Sequence, residues 1–338
     1  MAIKTEESAE KLPAVPSEVT AKWLGSKLGH SIRSVSLTEC KLGTGGTLFF
    51  SIEYADETPD AASRPMHVCV KGIFDPTTHT KIAPSIKHIS LLKGLWAGKS
   101  DRQGITIMSD LSDQGCTFPP EVGSYPLEKV LEGAAQLAGL HAQFWGVNEE
   151  KYSWMPNRYD APLMAITEQW DSIVREPGRP KLPEHLLNGA RVRKAQEKYY
   201  ATHNPKFRTF LHGDTHMGNI YFTREGHTLF LDWSVSHFAS CFHDLVYFLS
   251  TTLTIEDRRA HEMEVLDHYL ATLHLLDGPK FDRNDEDVMI ECKRSYMTNI
   301  IWLVCGYDLQ TKERVDALAE RTIAAWVDHK LIEVIEAQ

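Results

Sequence analysis

Residues 210–233 read FLHGDTHMGNIYFTREGHTLFLDW, and this stretch carries Asp214, then Asn219 five residues later and Asp232 a further thirteen residues on. The segment 220–231 reads as two short apolar strands around a polar turn, which predicts a β-hairpin. Because a hairpin returns the chain to its starting edge, we expect Asn219 and Asp232 to lie at the same end. An amide oxygen and a carboxylate are hard ligands that Mg²⁺ accepts while it keeps several waters. A carboxylate such as that of Asp214 can take the proton of an attacking hydroxyl.

The combination of these residues is more specific than its parts. A single His-Gly-Asp triplet is a common turn, since glycine and aspartate both favour turns. Together, the 212–214 turn, Asn219 and the Asp-Trp pair at 232–233 resemble the catalytic loop and metal-binding strand of the aminoglycoside phosphotransferases, a branch of the protein-kinase-like superfamily. The segments LHAQFWG at 140–146 and HDLVYFL at 243–249 resemble helices of the same branch. The helix start EDRR at 256–259 resembles phosphotransferases related to the ecdysteroid kinase and choline kinase groups.

The resemblance covers about residues 20 to 335 and implies the fold class: α+β, a bilobal protein-kinase-like fold with an antiparallel-sheet N-lobe and a mostly helical C-lobe. It places the N-lobe at 16–108, a hinge at 109–112, and the C-lobe with the catalytic loop and acceptor site at 113–338. Residues 1–15 are polar, charged and proline-bearing, so they are expected to be disordered.

Local patterns predict the elements within this frame. A helix is expected over 17–28, with Ser17 as its N-cap and Gly29 as its stop. Strands are expected at 32–41, 48–54, 66–73 and 105–108, and a helix at 81–96 would stand in the position of the kinase C-helix. The other predicted helices cover 127–145, 160–176, 184–203, 242–253, 256–276, 284–308 and 311–336.

The resemblance implies an enzyme that moves the γ-phosphate of ATP to a hydroxyl of a small molecule with the help of Mg²⁺. Asp214 would be the catalytic base, and Asn219 with Asp232 would hold the metal ion. Asp244 would brace the backbone of the catalytic loop, and His212 would hold the loop through a hydrogen bond.

A second set of residues would contact the nucleotide. Small residues between two strands let backbone N–H groups approach phosphates, a lysine on the third strand contacts the α- and β-phosphates, and the hinge backbone binds adenine. The family pairs this lysine with a glutamate, but no glutamate occurs between Lys71 and Asp110, and His88 stands nearest to the expected position. The candidate nucleotide-binding residues are Gly43, Thr44, Gly45, Gly46, Thr47, Lys71, His88, Ser109 and Leu111.

The missing glutamate keeps two other classes open. One is a nucleotide-binding pseudoenzyme or regulator built on the kinase fold, and the other is a kinase-fold nucleotidyl transferase. The presence of Asp214, Asn219 and Asp232 argues against the pseudoenzyme, since degenerate kinases usually lose at least one of these groups. A protein kinase is disfavoured because no activation segment follows Asp232 before the next predicted helix.

Composition limits the partners and the compartment. The chain has 338 residues and a formal net charge of −10, which disfavours a nucleic-acid partner. Its six cysteines form no CxxC pair, and no apolar run reaches the length of about 18 residues that a membrane span needs. The N-terminus has no apolar signal region, so a cytoplasmic protein is expected. The expected partner is a small-molecule hydroxyl acceptor, without nucleic acid or membrane, and the oligomeric state is left undetermined.

The acceptor site is expected in the C-lobe, between the segment 150–205 and the helices of 262–310. Aromatic walls with a few polar groups suit a medium-sized organic acceptor, although at least half of these aromatic residues are expected to be core. The candidates are Trp154, Tyr159, Trp170, Tyr199, Tyr200, Trp302, Tyr307 and Asp308.

Overall fold

The computed structural model describes residues 4–7, 12–42, 46–55, 64–72, 94–100, 104–120, 122–153 and 160–338. These residues fold into two compact units. The first unit holds the described residues up to Thr117 together with Tyr221–Gly226, and the second holds Phe118–Ile220 and His227–Gln338. The first unit is built on a sheet and the second is mostly helical, which confirms the predicted fold class.

A six-stranded sheet organises the first unit. Its strands are β1 (Lys4–Glu7), β2 (Ile32–Leu42), β3 (Gly46–Tyr54), β4 (His67–Gly72), β5 (Gly94–Lys99) and β6 (Gly104–Ser109). Their order across the sheet is β1-β5-β6-β4-β3-β2, and every neighbouring pair is antiparallel except β1 and β5. The strands predicted at 32–41, 48–54, 66–73 and 105–108 are confirmed, with ends that differ by one or two residues.

Alternation along the central strand gives the sheet two different faces. On β4, Val68 and Val70 belong to the hydrophobic core, so Cys69 and Lys71 point to the opposite face. One face is therefore committed to packing, and the other presents a lysine. This arrangement is what the prediction of a nucleotide-binding lysine requires.

The helix α1 (Ala21–Leu28) covers the packed face of the sheet. The ring of its Trp23 meets the Trp96 ring of β5 edge-on, with centroids 5.7 Å apart. The helix begins after Thr20, whose hydroxyl oxygen accepts the N–H of Trp23 at 3.2 Å. It ends at Gly29, where φ is 74°, a left-handed conformation that favours glycine.

The predicted helix start is wrong, whereas the predicted stop at Gly29 is confirmed. Ser17 lies in a separate 3-10 turn, Pro16–Glu18, and the chain is extended at Thr20 before the α-helix begins. The proline at the first position starts a separate short turn that contains Ser17. The α-helix is therefore capped by Thr20 and not by Ser17, the first good cap residue in the sequence.

Residues Lys4–Glu7 correct the prediction that 1–15 are disordered. They pair in parallel with Trp96–Lys99 of β5, and Leu12 is buried. The edge of a sheet offers backbone partners to any extended segment, whatever its side chains. A polar composition therefore does not reveal this pairing.

The helix predicted over 81–96 is wrong at its C-terminal end, because Gly94–Lys99 is strand β5. Trp96 and Ala97 are buried in the sheet between β1 and β6. A short apolar run has no periodicity that separates a buried helix from a buried strand, so pairing with β6 decides. Residues 81–93, and His88 with them, lie outside the described residues.

Helices make up most of the second unit. They are α2 (Leu127–Gln143), α3 (Asp160–Thr167), α4 (Trp170–Ile173), α5 (Gly189–Ala201), α6 (Cys241–Thr252), α7 (Ile255–Leu275), α8 (Glu286–Ser295), α9 (Ile300–Val304), α10 (Lys312–Asp328) and α11 (Leu331–Glu336). All seven predicted segments contain helix, but four are interrupted. The segment 184–203 divides into a 3-10 turn, Glu184–Leu186, and α5. The segment 311–336 breaks where Lys330 is left-handed, with φ 49°, and 284–308 breaks at a 3-10 turn, Tyr296–Asn299. The segment 160–176 also divides, into α3 and α4.

Two small sheets stand among the helices. β7 (Arg208–Leu211) pairs antiparallel with β10 (His237–Ser240), and β8 (Ile220–Phe222) pairs with β9 (Thr228–Phe230). The second pair is the hairpin predicted from residues 220–231.

Replacing Thr20, the N-cap of α1, should destabilise the first unit, whereas replacing Ser17, the predicted N-cap, should not. We expect Thr20→Ala to lower the free energy of unfolding by about 1 kcal/mol, because one orphan N–H at the start of α1 loses its partner. Ser17→Ala is the matched control and should change it by less than about 0.5 kcal/mol. Urea titration followed by tryptophan fluorescence measures both, and equal losses would contradict the assignment of the cap.

Candidate active site

The predicted catalytic loop follows β7 directly and is held by one buried carboxylate. Asp244, in the first turn of α6, has no exposed surface. Its Oδ2 accepts the backbone N–H of His212 at 2.7 Å, and its Oδ1 accepts that of Gly213 at 2.8 Å. The Thr215 hydroxyl donates to the Asp244 carbonyl at 2.7 Å. Asp244 thus makes the bracing contact that the sequence predicts.

Histidine neighbours keep the Asp244 carboxylate ionised. His141 Nε2 lies 3.2 Å from Asp244 Oδ2, and its Nδ1 lies 2.7 Å from the Tyr269 hydroxyl. Burial opposes ionisation, but the hydrogen bond and charge of His141, with the charges of nearby histidines, lower the pKa of Asp244 to about 2. The carboxylate is therefore a full acceptor for the loop N–H groups at neutral pH.

His212 connects the loop to the backbone just before Asp232. Its Nδ1 accepts the N–H of Asp214 at 3.1 Å, so the ring proton of the neutral form is on Nε2. That Nε2 lies 2.7 Å from the carbonyl oxygen of Leu231, the residue before Asp232. One buried ring therefore holds the backbone at both the candidate base and the candidate metal ligand, which confirms its predicted role in holding the loop.

Gly213 occupies a position that no other residue fits easily. Its φ is 88°, and a Cβ there would lie 2.5 Å from the carbonyl oxygen of Val235. His243 Nε2 lies 3.2 Å from the Gly213 carbonyl oxygen. Burial and the charge of His237 lower the pKa of His243 to about 4, so the ring is neutral and can donate to that oxygen.

The candidate base and the candidate metal ligand touch each other. The side-chain amide nitrogen of Asn219 donates to the carbonyl oxygen of Asp214 at 2.9 Å and to its Oδ2 at 2.8 Å. With the NH₂ group committed to Asp214, the amide oxygen of Asn219 is the atom that remains to face a cation. The backbone carbonyl of Asn219 accepts the N–H of Leu231 at 2.7 Å, which brings the residue before Asp232 beside Asn219.

Asp232 is held in a strained backbone conformation. Its φ of 56° and ψ of 74° are left-handed values, which cost a non-glycine residue about 1–3 kcal/mol and concentrate at functional sites. The Ser234 hydroxyl donates to Asp232 Oδ1 at 2.7 Å and orients the carboxylate. An amide oxygen from Asn219 and a carboxylate from Asp232 fit Mg²⁺, with phosphate oxygens and water to complete six ligands. In the described part of the chain, no cluster of three or more His, Cys, Asp or Glu side chains is arranged for a metal ion.

Two buried side chains, His216 and Tyr247, stand close to the Asp214 carboxylate and were not predicted to act, and the acceptor-wall candidate Trp302 packs behind them. His216 Nε2 lies 3.7 Å from Asp214 Oδ2. The Tyr247 hydroxyl faces Asp214, and burial with the Asp214 charge raises the pKa of Tyr247 well above its ordinary value. Trp302 packs edge-on against His216, with ring centroids 5.3 Å apart. A sequence signal existed for Tyr247, since it stands three residues after Asp244 and therefore on the same face of the helix.

In the first unit, the strand register brings Lys71 next to the end of the glycine-rich segment. Thr47 of β3 is directly opposite Lys71, and Gly46 is opposite Gly72. On the other side, Thr106 of β6 is opposite Lys71. The predicted residues Gly46, Thr47 and Lys71 are thus brought together at one end of the sheet. The predicted residues outside the described part of the chain are Gly43, Thr44, Gly45 and His88.

The predicted hinge residues lie at the end of β6. Ser109 is the last residue of the strand, and Leu111 is buried. The carbonyl oxygen of Leu111 accepts the N–H groups of Gln114 and Cys116 at 3.0 and 3.1 Å. A carbonyl that already accepts two hydrogen bonds has no lone pair left for adenine. Adenine recognition at this residue would therefore have to use its N–H.

An apolar row beside Lys71 escaped prediction. Across β3, β4 and β6, the residues Phe49, Cys69 and Met108 stand in register, on the same face as Lys71. Burial raises the pKa of Cys69 to about 12, so its thiol stays protonated and acts as a small apolar group. The period of two from Lys71 to Cys69 was the signal that could have found this row.

The aromatic candidates for an acceptor wall divide into packing and site residues. Trp170 stacks on Trp326 in the core, and Tyr199 is buried under the guanidinium of Arg294. Trp302 is the one of these candidates that the structure places beside the catalytic loop, through its contact with His216. Trp154 and Tyr159 lie outside the described residues.

The fold and the loop geometry are those of a kinase-like protein. A family model described as the ecdysteroid kinase-like family matches residues 75–276, which is more than half of the chain. The chain belongs to the ecdysteroid kinase-like family. No curated protein matches it.

Solved structures with the same fold are distant in sequence. Choline kinase LicA from Streptococcus pneumoniae is 13% identical, with a TM-score of 0.52 over 91% of this chain and 98% of that one. A microcompartment-associated aminopropanol kinase is 10% identical, with a TM-score of 0.56 over 89% and 94%. Spectinomycin phosphotransferase APH(9)-Ia, solved with ADP and spectinomycin, is 14% identical, with a TM-score of 0.53 over 96% and 99%. These likenesses support the fold.

Within the ranges that the structure describes, no helix combines the length and the apolar character needed to cross a bilayer. The expected cytoplasmic location stays a prediction.

Removing the charge of Asp244 should loosen the catalytic loop. We expect Asp244→Asn to lower the free energy of unfolding by about 3 kcal/mol, because an amide cannot accept from two N–H groups and from His141 together. Asp267→Asn is the control: Asp267 forms an exposed ion pair with Arg283, 3.2 Å apart, whose loss should cost less than about 1 kcal/mol. Urea titration measures both. A loss at Asp244 no larger than that at Asp267 would contradict the bracing role.

The pKa of Asp244 also fixes the sign of its pH effect. Its folded pKa of about 2 is below the ordinary value near 4, so its contribution to stability is fully present above about pH 4. That contribution is lost as pH falls from about 4 to about 2. The stability difference between wild type and Asp244→Asn should therefore shrink over this window.

Proposed function

We propose that this protein transfers the γ-phosphate of ATP to a hydroxyl of a small molecule, with Mg²⁺ and with Asp214 as the base. The observation that carries the proposal is the contact between Asn219 and Asp214. One amide binds the carboxylate at 2.8 Å through its nitrogen, which leaves its oxygen available as a metal ligand. Such an amide holds base and metal at a fixed distance, which is the positioning that phosphoryl transfer needs.

In the proposed step, the acceptor hydroxyl gives its proton to the Asp214 carboxylate. Its oxygen forms a bond to the γ-phosphorus, and the bond from that phosphorus to the β–γ bridging oxygen breaks, so ADP leaves. Asp214 is half-exposed, so an acceptor can reach its carboxylate from solvent. His212 and Asp244 hold the loop backbone and take no part in the proton transfer.

Asn219 and Asp232 would hold Mg²⁺ by one oxygen each. When bound, the ion neutralises charge on the phosphates and orients them. The strained backbone of Asp232 and the Ser234 hydrogen bond aim the carboxylate before any ligand arrives.

The nucleotide residues of the first unit complete the proposal. Gly46 and Thr47 would offer backbone N–H groups to the phosphates, Lys71 would bind the α- and β-phosphates, and the Leu111 N–H with the Ser109 backbone would bind adenine. The register of Thr47 against Lys71 supports the phosphate assignment. The role of His88 as the partner of Lys71, in place of the family glutamate, stays a prediction.

One observation favours a second candidate. The absence of any glutamate between Lys71 and Asp110 removes the usual partner of the lysine, as expected for a nucleotide-binding pseudoenzyme. Incubation with MgATP and a panel of alcohols (amino alcohols, sterols, sugars and aminoglycosides) distinguishes the candidates. Release of ADP that rises with one alcohol supports the phosphotransferase. Transfer of AMP supports a nucleotidyl transferase, and binding of MgATP without turnover supports the pseudoenzyme.

Removing the base should abolish transfer but spare the nucleotide. We expect Asp214→Asn to lower turnover by a factor on the order of 10²–10⁴, because a positioned base contributes that much, while the Kd for MgATP changes by less than about threefold. Asp267→Asn serves again as the charge-matched control. Turnover and nucleotide titration are measured on the same samples, and near-normal turnover in Asp214→Asn would refute the base.

Removing the carboxylate of Asp232 should act through the metal. We expect Asp232→Ala to raise the Mg²⁺ concentration for half-maximal activity by at least about tenfold, because one of two protein ligands is lost. Ser234→Ala removes the hydrogen bond that orients Asp232 but keeps both candidate metal ligands, so its effect should be smaller. A Mg²⁺ dependence unchanged in Asp232→Ala would exclude it as a ligand.

A further inference from the structure

His216 is fixed in one orientation by the start of the 3-10 turn Met217–Asn219. Its Nδ1 accepts the backbone N–H of Gly218 at 3.0 Å, and its own carbonyl accepts the N–H of Asn219 at 2.8 Å. A nitrogen that accepts a hydrogen bond carries no proton. The ring proton is therefore on Nε2.

The Nε2–H of His216 faces the base across a gap. The distance from Nε2 to Asp214 Oδ2 is 3.7 Å, which is too long for a hydrogen bond. An oxygen atom about 2.8 Å from both atoms would close a triangle over this gap, and 2.8 Å is an ordinary hydrogen-bond length. Such an oxygen accepts from His216 and donates to Asp214, which is what a hydroxyl does.

Packing holds the His216 ring at this position. The residue is buried, with 8% of its surface exposed, and Trp302 and Tyr247 stand beside the ring at centroid distances of 5.3 and 6.1 Å. A Cβ at Gly218 would lie 2.6 Å from the ring, so the ring fills space that a glycine leaves.

We propose that His216 is a second catalytic residue, which holds the attacking oxygen of the acceptor through its Nε2–H while Asp214 takes the proton. The proposal rests on the function proposed above. His216 neither gains nor loses a proton in the step: the hydroxyl proton goes to Asp214, the oxygen bonds to the γ-phosphorus, and ADP leaves. The imidazole fixes the oxygen in line, so its loss costs positioning.

The His216 ring also caps the 3-10 turn, because its Nδ1 accepts the Gly218 N–H. Two substitutions distinguish the catalytic role from this capping role. His216→Asn keeps an oxygen that can accept the Gly218 N–H, as asparagine does in an Asx turn, but reaches no further. His216→Gln carries an NH₂ group at the reach of Nε2 and loses the cap. The catalytic role predicts that Asn is the damaging change for turnover and Gln the damaging change for stability. A purely structural role predicts that Gln is worse in both respects.

Water serves as the acceptor, so the test needs no identified substrate. MgATP hydrolysis, the Kd for MgATP and the melting temperature are measured for wild type and both variants. We expect Asn to lower hydrolysis about three- to tenfold, the equivalent of one hydrogen bond, with the Kd for MgATP and the melting temperature near wild type. Gln should keep hydrolysis within about threefold per folded molecule. The same changes at His274, exposed on α7, are the matched controls and should alter nothing.

Each outcome decides the proposal. Unchanged MgATP hydrolysis in His216→Asn overturns the proposal. A loss of hydrolysis in His216→Gln that equals or exceeds the loss in His216→Asn also overturns it. If Gln does not fold, the Asn result alone decides. A wild-type protein that neither binds MgATP nor releases ADP contradicts the phosphotransferase itself. Failure of the His216 assignment alone leaves MgATP binding and Asp214-dependent turnover intact.

Discussion

The site depends on one buried carboxylate that accepts two consecutive backbone N–H groups. Asp244 receives the N–H of His212 and of Gly213, and a left-handed Gly213 lets the chain turn away immediately afterwards. A buried charge is tolerated only when it is paired and hydrogen-bonded, so Asp244 and the loop need each other. The histidine at its other side, His141, extends the same network into the helical core.

Hydrogen bonds connect this carboxylate and its loop to the candidate base and the candidate metal ligands of the second unit. The His212 ring links the loop to the carbonyl of Leu231, which precedes the strained backbone of Asp232. Asn219 ties its own amide to the carboxylate of Asp214. Positioning supplies most of the catalysis in phosphoryl transfer, so a loop held at each of these points is what the proposed transfer requires.

Local patterns predicted the elements that need no distant partner. The hairpin around residues 220–231, the long helix at Leu127–Gln143 and the stop at Gly29 follow from short periods and from glycine chemistry. Predictions failed where a neighbour far away in sequence decides. Gly94–Lys99 is a strand because β6 pairs with it, and Lys4–Glu7 is a strand because β5 offers an edge. The pattern of a short segment does not reveal that it pairs with a strand far away in the sequence.

For the candidate site, the sequence by itself determined which side chains are chemically able to act: Asp214, Asn219 and Asp232 stand out because base and ligand chemistry belongs to residue type and spacing. Only the tertiary structure decided how these side chains are oriented and which residues contact them. The tautomers of His212 and His216 depend on which nitrogen accepts a backbone N–H, and Trp302 meets His216 through the packing of a separate helix. Hydrogen-bond direction and long-range packing are properties of the assembled fold, and no local pattern encodes them.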